Sequence, residues 1–295
     1  MRQIISILLL VPFSLWAQLK PGNQDFEVLG RAYQVSTPSN YNASHSYPIV
    51  FELHSFGKDK TQMYNQKLID ELQYISVRPE GEKKPLLGNV WNTWKETAIG
   101  GGADDVAYIQ LVYDEVKKKL GNSFDAEKVY VYGFSNGGAM AMKMLEETNL
   151  FRGAIIRSMS FTKGHAIPQG ASKVPMIFVH GTADETVPYQ GGRGKYGAMS
   201  PDFESVKETV KKWSLHDGLK QPPIEIKYLK GSSPSSDKDF YYAEYHDSQS
   251  PIYFYAIEGG EHATDKQFSN SNMRRALLRM MKAPQCFGIY RQVCE

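Results

Sequence analysis

The chain has 295 residues, 41% hydrophobic and 12% aromatic, with 34 Lys and Arg against 32 Asp and Glu and a net charge of +2. That apolar content is ample for a large buried core, and the length allows one or two domains. The near-neutral balance argues against a partner held by phosphate neutralisation, so no nucleic acid is expected.

The first stretch reads MRQIISILLLVPFSLWAQ. Arg2 gives a positive start, Ile4 to Val11 a short apolar run, and Ala17 a small residue for cleavage before Gln18. Residues 1–17 are therefore expected to be a secretory signal, too short to cross a bilayer. Residues 18–295 are expected to form one mature domain, secreted or periplasmic, with no membrane span. Cys286 and Cys294 are expected to pair as a disulfide in that oxidising compartment. Two sulfurs with no histidine cluster beside them do not make a metal site.

From there the elements alternate. EVLGRAYQVSTP and YPIVFELH read as strands, DKTQMYNQKLIDEL as a helix, and QYISVRPE as a strand. In DDVAYIQLVYDEVKKKL, Val106, Ile109, Tyr113, Val116 and Leu120 fall on one helical stripe, with Asp104 as N-cap. The basic run Lys117–Lys119 suits the helix C-terminus. KVYVYGF reads as a strand, Asn136 to Glu147 as a helix, and GAIIRSMS and VPMIFVHG as strands. FESVKETVKKWSLH follows as a helix, then strands IEIKYL, DFYYAEYH and IYFYAIEG, and a last helix over about 265–282. Residues 189–201 and 231–239 read as loops. This alternation predicts an α/β fold with a mostly parallel central sheet and helices on both faces, its ligand at the carboxyl ends of the strands.

Candidate chemistry sits at those strand ends. VYVYGFSNGGAMAMKML runs from a strand through Gly133-Phe134-Ser135-Asn136-Gly137 into a helix. A turn that sharp needs neighbours without side chains, and it lifts a hydroxyl above the sheet at a helix N-terminus. Ser135 is the expected nucleophile. A serine needs a base, and the base an orienting carboxylate. VPMIFVHGTADETVPY supplies a strand and then Asp184, preferred over Glu185 as first in its turn. IYFYAIEGGEHATD supplies a strand and then His262. Alone, Asp184 reads as a turn cap and His262 as a surface histidine; the order and the strand-end placement select the set. His54 and His180, also at strand ends, are expected to satisfy local backbone groups. His45, His165, His216 and His246 are expected at the surface. An oxyanion needs two amide donors: Asn136 is one, and Phe56 the other, with Ser55 as the alternative.

FELHSFGKD, NVWNTW, DDVAYI, VYVYGFSNGGAMAMKM, VHGTADETVPY and GGEHAT together resemble the extracellular esterases that group polyhydroxybutyrate depolymerases with feruloyl and acetylxylan esterases. The resemblance covers most of residues 45–265. It implies an α/β-hydrolase fold, a triad of Ser135, Asp184 and His262, and no metal or organic cofactor. The family usually has His-Gly at the first strand end, where this chain has His54-Ser55. It also implies that Trp91 and Trp94 form an aromatic wall for the acyl or sugar part of the substrate, with core packing as the competing reading. The expected partner is an ester, polymeric or oligosaccharide-linked. Feruloyl or acetyl esters on plant polysaccharide come first and a polyester second. A secreted peptidase, a lipase and a non-catalytic carbohydrate-binding protein are the rivals.

Overall fold

The computed structural model describes residues 18–94, 102–197, 200–218, 222–227, 240–245 and 250–263. The expected signal, the cysteine pair, the last helix, the 231–239 loop and His246 lie outside them.

A ten-stranded sheet forms the centre. In chain order its strands are β1 (Gly22–Val28), β2 (Arg31–Thr37), β3 (Ile49–Leu53), β4 (Ile75–Pro79), β7 (Val129–Phe134), β8 (Ala154–Arg157), β9 (Met176–Gly181), β12 (Ile224–Lys227), β13 (Phe240–Tyr245) and β14 (Ile252–Ile257). Among the described residues there are also two short hairpins: β5 (Glu82–Lys84) with β6 (Gly88–Val90), and β10 (Gly192–Arg193) with β11 (Asp202–Phe203). Across the sheet the order is β1-β2-β4-β3-β7-β8-β9-β14-β13-β12. The six strands from β4 to β14 run parallel, and both flanks are antiparallel. Every residue of β3, β7, β8 and β9 is buried, as expected where both faces of a parallel sheet are covered.

The helices are α1 (Gln66–Leu72), α2 (Asp105–Leu120), α3 (Asn136–Glu147) and α4 (Val206–His216). Residues of α2, α3 and α4 pack with Phe51, Val131, Ile156 and Phe178 on one sheet face. Leu68 and Ile69 of α1 pack with Val50, Tyr132, Ile155 and Ile177 on the other. The stripe read along α2 is buried, and the Asp104 carboxylate accepts from the Ala107 N–H at 2.9 Å.

Two of the elements read from the sequence have other bounds, and the short hairpin strands β5, β6 and β10 fall where none was read. Residues 27–38 are not one strand. The chain turns at Leu29-Gly30, both with positive φ (53° and 70°), which closes the tight hairpin between β1 and β2. The helix expected over 59–72 starts only at Gln66. Asp59 engages the Thr61 N–H at 2.8 Å and holds a turn, and Asn65 caps the helix from its β-region conformation.

Winding reverses between β3 and β7. The chain goes from β3 to β4 on one side and then returns to lay β7 on the other. The crevice at such a reversal, beyond the carboxyl ends of the strands, is where doubly wound sheets hold ligands.

Candidate active site

Ser135 follows β7 directly, with φ 55° and ψ −120°. A non-glycine residue held at positive φ costs about 1–3 kcal/mol and persists only where its surroundings enforce it. The surroundings are backbone. The Ser135 N–H donates to the Arg157 carbonyl at 2.9 Å, and its own carbonyl accepts from the Ala139 N–H at 3.1 Å. A Cβ at residue 133 would run into the Gly137 carbonyl, and one at 137 into the Leu53 carbonyl. The two glycines thus let the elbow close onto β3.

Three side chains meet there. His262 Nε2 lies 2.9 Å from Ser135 Oγ, and His262 Nδ1 lies 2.7 Å from Asp184 Oδ2. With the Nδ1 proton donated to the carboxylate, Nε2 is left to accept from the hydroxyl. The loops that carry acid and base touch at Gly181, where a Cβ would strike the Gly260 carbonyl. Asp184 is buried, and its other oxygen accepts from the Thr186 and Val187 N–H groups at 2.9 and 3.0 Å. Burial alone would raise its pKa. The hydrogen bonds from His180 and His262 outweigh that and hold the carboxyl below the usual carboxylate range. The group stays ionised, so it orients the imidazole without taking its proton.

Two further residues serve this set. His180 does satisfy a backbone group, the Val187 carbonyl at 2.8 Å, but its Nε2 also stands 3.2 Å from Asp184 Oδ2. Ser158, just past β8, donates from Oγ to the His262 carbonyl at 2.9 Å and has φ 52°. The sequence signal for it was slight: a serine ending the strand beside the elbow. The His262 ring packs 5.4 Å from the Phe134 ring, which carries the Arg157 guanidinium on its face at 4.9 Å.

At the end of β3 the amides are sorted by their partners. The Ser55 N–H is engaged by Gln62 Oε1 at 2.8 Å and the Gly57 N–H by the Asn89 carbonyl at 2.9 Å. Phe56, between them, has an N–H with no partner among the described residues. The Asn136 N–H is likewise open, as the first amide of a helix must be. Of the two residues considered at the β3 end, Phe56 rather than Ser55 therefore has the available donor.

The tryptophans lie in the core instead of on an open wall. Trp91 is 1% exposed and its Nε1 donates to the His54 carbonyl at 2.9 Å. Trp94 is buried too. Its Nε1 donates to Glu146 Oε2 at 2.9 Å, and its ring lies 4.7 Å from the His165 ring. His165 is therefore not a plain surface residue: it is half-buried, with Nε2 2.7 Å from Glu146 Oε1. His54 is fully buried and satisfies backbone at both nitrogens, accepting from the Gly81 N–H and donating to the Ser55 carbonyl, each at 2.8 Å. Among the described residues no group of three His, Cys, Asp or Glu side chains is arranged to hold a metal ion, and no helix is long and apolar enough to cross a membrane.

The fold is similar to that of known proteins. The structure superposes on an acetyl xylan esterase from Aspergillus awamori with a TM-score of 0.58 at 17% identity, covering 86% of this chain and 98% of that one. It superposes on the Pyrococcus horikoshii acylaminoacyl peptidase with a TM-score of 0.54 at 12% identity, over 89% of this chain and 41% of that one. The Phospholipase/Carboxylesterase family model matches residues 98–217. The chain has an α/β-hydrolase fold.

By sequence the chain is similar to esterases. It is 24% identical over 233 residues to a probable feruloyl esterase C of Aspergillus clavatus, covering 78% of this chain and 75% of that protein. It is 26% identical over 236 residues to a bifunctional acetylxylan esterase/xylanase of Neocallimastix patriciarum, covering 70% of this chain and 31% of that protein.

Proposed function

We propose that this chain is an exported, single-domain serine esterase that cleaves feruloyl or acetyl esters of plant polysaccharide through an acyl-enzyme. The observation that carries the reading is the continuous chain from Ser135 Oγ through the His262 imidazole to Asp184, with links of 2.9 and 2.7 Å. The leader-like residues 1–17 support export, and the names of the relatives support the substrate class.

In the mechanism His262 Nε2 takes the Ser135 proton as Oγ attacks the ester carbonyl. The new oxyanion accepts from the Asn136 and Phe56 amides, which have no other partner to give up (among the described residues). Nε2–H then protonates the departing alcohol. Water, deprotonated by the same nitrogen, attacks the acyl carbonyl, and collapse returns the proton to Ser135. Asp184 keeps the imidazole in one tautomer and stabilises its cation.

Ser135→Ala tests this directly. Turnover of p-nitrophenyl acetate should fall by several orders of magnitude, leaving only binding and oxyanion stabilisation, about 10³–10⁴ over water. Wild-type turnover by that variant would refute the assignment. A panel of methyl ferulate, acetylated xylan and hydroxybutyrate oligomers then ranks the substrates. Preference for the hydroxybutyrate oligomers would replace the polysaccharide-ester reading with a polyester one.

A further inference from the structure

The two proposed oxyanion donors belong to different elements. Phe56 lies on the loop after β3, and Asn136 opens α3. An oxyanion hole works only if its donors are already aimed at the right spacing before charge develops. Residues 89–91, the end of the small β5–β6 hairpin and the residue after it, join the two.

On one side this strap holds the β3 loop. The Asn89 carbonyl accepts from the Gly57 N–H at 2.9 Å, and Trp91 Nε1–H donates to the His54 carbonyl at 2.9 Å. Phe56 is thereby bracketed, with one anchor two residues before it and one immediately after. The anchor is itself fixed, because the His54 ring packs 4.9 Å from the Trp91 ring and accepts from the Gly81 N–H. On the other side the strap holds α3. The Asn136 carboxamide takes both backbone groups of Trp91: Oδ1 accepts the N–H at 2.8 Å and Nδ2 donates to the carbonyl at 3.1 Å. That pairing imitates a strand bridge and needs a carboxamide at this position, since a carboxylate has no donor and a hydroxyl would have to donate and accept through one atom.

We infer that the Asn136 carboxamide and the Trp91 indole are positioning residues that set the spacing of the oxyanion donors through the 89–91 strap. The inference rests on the serine-esterase reading. It gives Asn136 two separable tasks: its backbone N–H meets the oxyanion, and its side chain fixes where the opposite donor stands. It also gives Trp91 a role in catalysis that needs no contact with substrate.

The test compares Asn136→Ala, which keeps the backbone amide, with Trp91→Phe, which keeps an aromatic ring but deletes the indole N–H, and with the double variant. Loss of one complete donor costs about 10²–10³ in kcat, so a displaced donor should cost about 10- to 100-fold with little change in KM. Affinity for phenylboronic acid, whose tetrahedral adduct places a hydroxyl in the oxyanion position, should fall in parallel with kcat/KM. The inflections of the pH–rate profile should stay in place, because Ser135, His262 and Asp184 are untouched. The double variant should lose little more than the worse single one, as residues acting through one relay do. Hydrogen exchange of the Trp91 indole, its signal assigned by its absence in Trp91→Phe, should quicken in Asn136→Ala. Folded variants with kcat and boronate affinity within twofold of wild type would overturn the inference even if they melt earlier. A wild-type chain that neither hydrolyses p-nitrophenyl acetate nor takes a fluorophosphonate would instead overturn the esterase reading beneath it.

Discussion

Ser135 and Ser158 sit at the ends of neighbouring strands, and both have positive φ, 55° and 52°. In the proposed mechanism the first strain presents the attacking hydroxyl, and the second aims a hydroxyl at the backbone of His262. Ser158→Gly separates strain from contact. Glycine occupies that backbone region freely, so the variant should melt no earlier than wild type. It should nevertheless lose about 10- to 100-fold in kcat, since a small displacement of a catalytic group is expensive. Melting curves and initial rates on p-nitrophenyl acetate check both halves. At Asp184 the expected loss is larger. Asp184→Asn keeps the shape but offers His262 Nδ1 an amide, favouring the wrong tautomer, and kcat should drop by about 10⁴ with KM little changed in steady-state rates. Ser135, Asp184 and His262 were legible in the sequence because each follows a recognisable strand, in a fixed order. Ser158 was not, because nothing local distinguishes a serine whose partner is a carbonyl 104 residues away.

Helix α2 was legible because its apolar residues repeat at helical spacing behind a capping aspartate. The β1–β2 hairpin was merged into one strand because alternation runs on through Leu29-Gly30, and only the positive φ values mark the turn. The β5–β6 hairpin was missed because strands of three residues have no period to detect. The join between β2 and α2 likewise rests on a contact distant in sequence. Arg31 Nη1 pairs with the fully buried Asp105 side chain at 2.6 Å, Nη2 donates to the Glu80 carbonyl at 2.7 Å, and the guanidinium lies 3.7 Å from the Tyr108 ring centre. Arg31→Ala would strand a buried carboxylate, at a cost of about 3–5 kcal/mol, or roughly a 10 °C fall in Tm for a chain of this size. Adding Asp105→Asn removes the stranded charge and should recover part of that loss in the same thermal melts.

Across the whole molecule, two buried groups tilt stability with pH in opposite senses. Burial pushes the His54 imidazole down to about 4, against the pull of the Ser55 carbonyl, with Arg31 adding to the fall and Asp59 opposing it. The unfolded chain therefore takes up this proton first, and stability falls as pH drops from about 6.5 to about 4. Burial pushes the Asp217 carboxyl, at the end of α4, up to about 7, with Lys173 offsetting part of the shift. Here the folded chain keeps a proton that the unfolded chain releases, so stability falls as pH rises from about 4 to about 7. Asp217→Asn should raise Tm by several degrees more at pH 8 than at pH 4, read by calorimetry at both values. The sheet itself was legible because most residues of its parallel strands are apolar and helical patterns alternate with them. The contacts that complete the site were not: Trp91 reaches His54 and Asn136 from 37 and 45 residues away, distances at which no sequence period reports contact.

Strand β14 follows β13 in the chain yet lies between β9 and β13 in the sheet. The imidazole of His262, just past it, stands 78 residues after Asp184 and 127 after Ser135, the two residues it bonds. A nascent chain that ends between β9 and β14 therefore holds the proposed nucleophile and carboxylate but not the proposed base. On the serine-esterase reading, chains cut short before β14 would leave the esters around them intact, so the topology itself delays activity until that strand is in place.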